Sequence, residues 1–204
     1  MKHYLERSMS FAEYMALIEK LVIEGKTTGP TQIGALADFT RLNLQRMKRL
    51  SKTVEINNGS KIALKENARP MYWLVITEAW CGDAAQNIPV IEKIAAENDN
   101  IETRYILRDE NPELMDRFLT DGTRSIPKLV AIDRESLEIL GTWGPRPLKA
   151  RQLFLDLKEK GIERPLINEE MQRWYNDDKG RSMVNEFVEL LAEWGGRRSV
   201  RARA

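Results

Sequence analysis

The chain has 204 residues, enough for one sizeable core or for one compact domain carrying extra helices. Its 32 basic and 31 acidic residues leave a formal charge of +1, which excludes a general electrostatic pull toward nucleic acid, membrane or acidic substrates. One cysteine and one histidine exclude an internal disulfide and a four-ligand zinc site, so neither a structural metal nor a cofactor is expected.

The amino terminus lacks an apolar stretch ahead of a small-residue cleavage site, and no apolar run reaches the ~18 residues of a membrane span. A cytoplasmic protein with a reduced thiol is therefore expected. Phe11, Tyr14, Met15, Ile18, Leu21 and Val22 recur at spacings of three and four, which predicts a helix capped by Ser10. The GKT that follows is not a phosphate loop: Lys20 stands where its first glycine belongs, and a helix precedes it in place of a strand. A second helix is expected over 31–52, with Leu36, Phe39, Asn43, Met47 and Leu50 inside and Arg41, Arg46, Lys48 and Arg49 near an end whose dipole suits cations.

After a polar connector at Asn57–Gly59, the continuous apolar run MYWLVITEAW reads as a strand buried on both faces. A helix over 84–97, the strand IETRYIL, a helix starting at Asn111–Pro112, the strands PKLVAID and LEILG about a turn at Arg134–Glu135, and a helix opening at Pro147 complete the alternating part. Beyond Gly161 lies a helical appendix opening at Asn168. Its apolar face, Val184, Phe187, Leu190, Leu191 and Trp194, must bury against the main domain or a second copy of the chain. The basic end GGRRSVRARA reads as a solvated terminus. The expected division is a helical extension over 1–60, a central domain over 61–161 and a helical appendix with the basic tail over 162–204.

Cys81 stands where the buried strand gives way to a helix. A cysteine in a first helical turn faces unsatisfied backbone N–H groups and the positive end of the dipole, which favour thiolate and lower its pKa below the usual ~8.5. Asp83 opposes that effect, and a lowered but not extreme pKa is expected. Glu78 and Arg124 are candidate tuning neighbours, with loop-tying charges as the competing reading; Arg124 is placed to offset Asp83. Trp143 and Arg146 in GTWGPRP are candidates for a rim, the competing reading being a packed tryptophan beside a shaped turn. The adjacent pairs Glu169–Glu170 and Asp177–Asp178 diverge by about 100° per residue on a helix and cannot share a substrate.

The order strand, helix, strand, helix, strand, strand, helix from Met71 to Gly161 resembles the thioredoxin fold. Trp80 and Cys81 match the start of W-C-G-P-C, Pro89 matches the proline of the following helix, Ser125–Ile126–Pro127 match the cis-proline segment, and Gly141 matches a strand-end glycine. With GKTTGP, LNLQRMKRL, RDENPEL and GTWGPRP, the chain resembles a bacterial family of thioredoxin-like proteins from about Tyr14 to Leu157. The resemblance implies an α/β thioredoxin-like fold, a central mixed sheet flanked by helices, with added N-terminal and C-terminal helices. It implies a candidate site of Trp80, Cys81, Gly82, Asp83, Ala84, Ser125, Ile126 and Pro127, with a cis peptide at Pro127.

The departures from the family pattern are specific. Ala84 stands where the resolving cysteine belongs, Asp83 where its proline belongs, and Val75 where a buried acid belongs. The expected activity is therefore a thiol–disulfide oxidoreductase working through Cys81 alone, with an external thiol as resolver. Its partners would be a thiol- or disulfide-bearing protein or a low-molecular-weight thiol, with no nucleic acid or membrane, and the terminal helices offer a homodimer contact. Two alternatives stand beside it: a non-catalytic adaptor that kept the groove beside Pro127, and a peroxide sensor in which Cys81 forms a sulfenic acid.

Overall fold

A computed structural model describes residues 1–67 and 69–196 of the chain. The basic stretch beyond Gly196 lies outside the described residues. In chain order the elements are α1 (Lys2–Glu6), α2 (Phe11–Ile23), α3 (Gly34–Thr53), α4 (Asn58–Lys65), β1 (Met71–Thr77), α5 (Gly82–Ala95), β2 (Ile101–Leu107), α6 (Pro112–Asp116), β3 (Lys128–Asp133), β4 (Ile139–Trp143), α7 (Leu148–Glu159), α8 (Arg164–Asp178) and α9 (Arg181–Trp194).

The four strands form one mixed sheet in the order β2-β1-β3-β4. β1 runs parallel to β2 and antiparallel to β3, with Val75 opposite Tyr105 on one side and Leu129 on the other. Only Tyr72 of β1 escapes full burial, which is why its sequence is continuously apolar and does not alternate. Helices cover both faces, giving the α/β thioredoxin-like fold expected from the order of elements.

α2 starts at a complete capping box: Ser10 Oγ accepts from the Glu13 N–H, and the Glu13 carboxylate accepts from the Ser10 N–H. Just before it, Met9 and Tyr105 exchange backbone hydrogen bonds of 2.8 and 2.7 Å. This bridge occupies part of the open edge of β2, where unpaired strand groups would otherwise invite pairing with another chain.

The apolar face of α9 buries against the sheet. Phe187 lies 5.0 Å from Trp73 and 5.3 Å from Trp143, ring centre to ring centre, and Trp194 meets Trp73 edge-on. Gly141 explains how Trp194 approaches so closely: a Cβ at that position would fall on the indole Nε1. Of the two places where this face could bury, it takes the one within its own chain.

Three helical features depart from the sequence expectation. The connector after α3 holds α4, begun by Asn57, whose side chain accepts from the Ser60 N–H at 2.9 Å; an Asn-Asn-Gly run reads equally well as a turn. α8 opens at Arg164 rather than Asn168, with Pro165 in its first turn, where a missing N–H costs nothing. Finally, α7 and α8 form a hairpin with its own small apolar cluster around Ala150, Ile167 and Met171, separate from the core that α9 joins. That hairpin stands over the carboxyl end of β1 and closes the candidate site.

Candidate functional site

The turn between β1 and α5 is fixed from outside by the N-terminal helices. The Ala79 N–H donates to Thr28 Oγ1 at 2.9 Å, and the Ala79 carbonyl accepts from Asn43 Nδ2 at 2.9 Å. Both partners are buried. The GKTTGP turn and the LNLQRM stretch of α3 thus hold both backbone polar groups of one residue, two positions before the cysteine. Buried backbone groups need such partners, and here side chains from distant sequence supply them.

Cys81 is the N-cap residue of α5, and its Sγ accepts from the Ala84 N–H at 3.5 Å. Its S–H donates to the Ile126 carbonyl at 3.3 Å. The Ile126–Pro127 peptide bond is cis, as is Gly144–Pro145. The two segments press together: a Cβ on Gly144, whose φ is +112°, would fall on the Pro127 carbonyl oxygen. Cysteine and cis-proline segment therefore meet through the sulfur.

The electrostatics overturn one expectation. Cys81 is only 8% exposed, and burial, followed by the charge of Asp83, pushes its thiol up to about 12 against the pull of the Ala84 and Asp83 N–H groups. A helix terminus contributes typically about 0.3–1 kcal/mol, whereas full burial can shift a group by about 3–5 pKa units at about 1.36 kcal/mol each. Desolvation wins, and the resting sulfur is a thiol, not the thiolate expected from its place at the helix end.

Asp83 is held by two groups far along the chain. Its carboxylate pairs with the Arg146 guanidinium and accepts from the Tyr175 hydroxyl at 3.0 Å. The Arg146 guanidinium lies 4.1 Å from the Phe154 ring centre. The offset to Asp83 expected from Arg124 thus comes from Arg146, because Arg124 reaches away to pair with Asp116 at 2.7 and 2.8 Å in solvent.

Glu78 is fully buried, with Oε1 accepting from the Asp109 N–H at 2.8 Å and Oε2 without a hydrogen-bond partner among the described residues. Burial raises its pKa. Trp143 is core rather than rim: it packs on Phe187, and its indole N–H donates to Glu186 at 2.8 Å. Ser125 shares a 2.7 Å hydrogen bond with Thr123 on the exposed side of the cis-proline segment. Trp80 lies beneath the Arg108 guanidinium, 4.9 Å from its ring centre.

Trp80, Cys81, Gly82 and Asp83 line a cavity of about 370 Å³, closed by α3 on one side and by the α7–α8 hairpin on the other. α3 contributes Phe39 and Arg46, α7 contributes Phe154, and α8 contributes Arg164 and Gln172. Sequence reasoning missed the α8 wall, having treated that segment as an appendix. It also placed Phe39 in the core, although 47% of it is exposed. The apolar spacing of Leu36 and Phe39 was a real signal, but for a cavity wall.

A family model described as thioredoxin matches residues 29–160. Two solved structures share the fold. One is a protein of unknown function from Pseudomonas aeruginosa, 17% identical, with 90% of this chain and 97% of that chain covered at a TM-score of 0.56. The other is an HIV epitope-scaffold, 18% identical, with 90% of this chain and 98% of that chain covered at a TM-score of 0.54. No curated protein matches the chain. The matched span takes in Asn43, β1, the Cys81 turn and the cis-proline segment, and it establishes that the chain belongs to the thioredoxin family.

Proposed function

We propose that this chain carries out thiol–disulfide exchange through one sulfur, Cys81, and depends on an external small thiol to complete each cycle. The observation that supports this reading is the position of the Cys81 sulfur, 3.3 Å from the Ile126 carbonyl and on the wall of a 370 Å³ cavity. A sulfur so placed is accessible from the cavity although nearly closed to bulk solvent.

In the forward step Cys81 loses its proton and its sulfur bonds to one sulfur of a disulfide, R–S–S–R. The R–S–S–R bond breaks, and the departing thiolate takes up a proton. A second small thiol then attacks the mixed disulfide, returns Cys81 to the reduced state and leaves as the new disulfide. Ala84 supplies no sulfur for an internal resolution step.

The raised pKa makes this chemistry slow at rest. With a thiol at about 12, roughly one molecule in 10⁵ is ionised at pH 7, and the higher intrinsic nucleophilicity of such a thiolate returns only about one to two decades. The uncatalysed exchange rate is then about a hundredfold below that of free cysteine. Replacement Cys81→Ser should abolish both mixed-disulfide formation and thiol-dependent reductase activity; retention of either refutes the proposal.

The burial of Cys81 favours a second reading, in which the chain binds a ligand in the cavity without redox chemistry and the cysteine is an inert wall residue. Absence of any mixed disulfide with small disulfides in the folded protein selects this reading over exchange.

A further inference from the structure

The cavity over Cys81 carries three arginines and one carboxylate. Asp83 is already occupied by Arg146 and Tyr175. Arg46 makes one side-chain hydrogen bond, to Asn43 Oδ1 at 3.2 Å, and Arg164 lies against the Phe154 ring at 5.5 Å. Neither has a carboxylate partner among the described residues. Half-burial, and then the nearby Arg49, lower the pKa of Arg46, which is the signature of a cation whose surroundings lack an anion.

Guanidinium groups present fixed forks of donors that match a carboxylate in two-pronged geometry. Phe39, Phe154 and Trp80 add aromatic surface to the same cavity, while Asn168 and Gln172 add amides. Its volume of about 370 Å³ sits near the small end of the range of about 300–1,000 Å³ for small-molecule sites, and such sites combine an apolar body with a few placed polar groups.

We propose that this cavity is a binding site for a small organic carboxylate, anchored by Arg46 and Arg164, and that the disulfide exchanged at Cys81 accordingly belongs to a carboxylate-bearing small thiol. The second half rests on the exchange reading above; the anion site does not. Binding places the acid group on the α3 and α8 arginines, the apolar part between Phe39 and Phe154, and the sulfur end toward Cys81. The exchange step keeps the balance already given, the carboxylate taking no part in it.

The test uses the full chain, Cys81 being its single thiol, and three probes. Dithiobis(nitrobenzoate) is a carboxylated aromatic disulfide, dithiodipyridine is a neutral one, and nitrobenzoate is the acid without sulfur, followed by calorimetry. The two disulfide rates, each divided by its rate with free cysteine, give an anion preference. The wild type is expected to prefer the carboxylated disulfide and to bind nitrobenzoate. The double variant Arg46→Gln, Arg164→Gln is expected to lose about tenfold of that preference, equivalent to about 1.4 kcal/mol. The pair Arg46→Lys, Arg164→Lys keeps part of it, separating charge from packing. Should the glutamine variant fail to fold, the wild-type preference should still shrink with added salt.

An equal preference in wild type and glutamine variant, with no nitrobenzoate binding, overturns the anion site while leaving exchange at Cys81 standing. Nitrobenzoate binding that depends on the arginines, with neither disulfide reacting, supports the anion site and overturns exchange. Failure of all three probes overturns both.

Discussion

Asp83 and Arg146, 63 positions apart in the chain, form an ion pair beside Cys81 with a 3.0 Å Nε–Oδ1 hydrogen bond. The pair ties the first turn of α5 to the loop entering α7, and Tyr175 of α8 adds its hydroxyl to the same carboxylate. One carboxylate thus fastens the helical hairpin over the candidate site and also adds its charge to the burial that keeps the thiol protonated.

Replacement Asp83→Asn separates these two effects. Removing the charge should lower the Cys81 pKa from about 12 and speed iodoacetamide alkylation, the shift appearing as an earlier rise in the pH–rate curve. Stability should fall by about 3 kcal/mol, the cost of leaving a largely buried Arg146 without its partner. Urea denaturation checks the second effect; alkylation unchanged across pH would contradict the first.

Thr28 and Asn43 should act on stability through Ala79. Replacement Thr28→Val or Asn43→Ala leaves a buried backbone group unsatisfied and should cost about 1–3 kcal/mol in each case. Denaturation midpoints measure the loss, and the disulfide preference at Cys81 provides the control for Thr28→Val, which leaves the Asn43 bond to Arg46 in place.

Glu78 offers a pH test with a definite sign. Its pKa is raised by burial, so in the folded chain it holds its proton to higher pH than in the unfolded chain. Its contribution is fully present below the ordinary glutamate value of about 4.3 and is lost as pH rises through the folded value. Replacement Glu78→Gln, which keeps an acceptor for the Asp109 N–H, should therefore match the wild type in acid and exceed it at pH 7. Each kcal/mol appears as about 2–4 °C in Tm. A variant less stable than wild type at pH 7 would contradict this.

The fold was legible because its signals are local: the six consecutive apolar residues that open β1, proline and asparagine at the start of α6, and Gly141 in the last strand. The candidate site was legible only in part. Chain order places Cys81 at a helix start, but whether the helix end or burial controls its ionisation depends on what surrounds it, and the cavity beside it is walled by α3 and by the α7–α8 hairpin, segments distant in the sequence. Arg124 and Arg146 are equally plausible partners for Asp83 in one dimension. The fold turns Arg124 out toward Asp116 and Arg146 in against Phe154. Glu78 likewise has no sequence mark that distinguishes a fully buried glutamate from an exposed one.

The most direct measurement follows Cys81 reacting with dithiodipyridine by intact mass and absorbance as pH is raised. The expected result is one mixed disulfide per chain, formed about a hundredfold more slowly than with free cysteine at pH 7, accelerating through pH 10 without levelling, and absent after Cys81→Ser. A folded protein that forms no adduct at any pH, or a rate that levels off below pH 8.5, would contradict exchange through a buried, protonated Cys81.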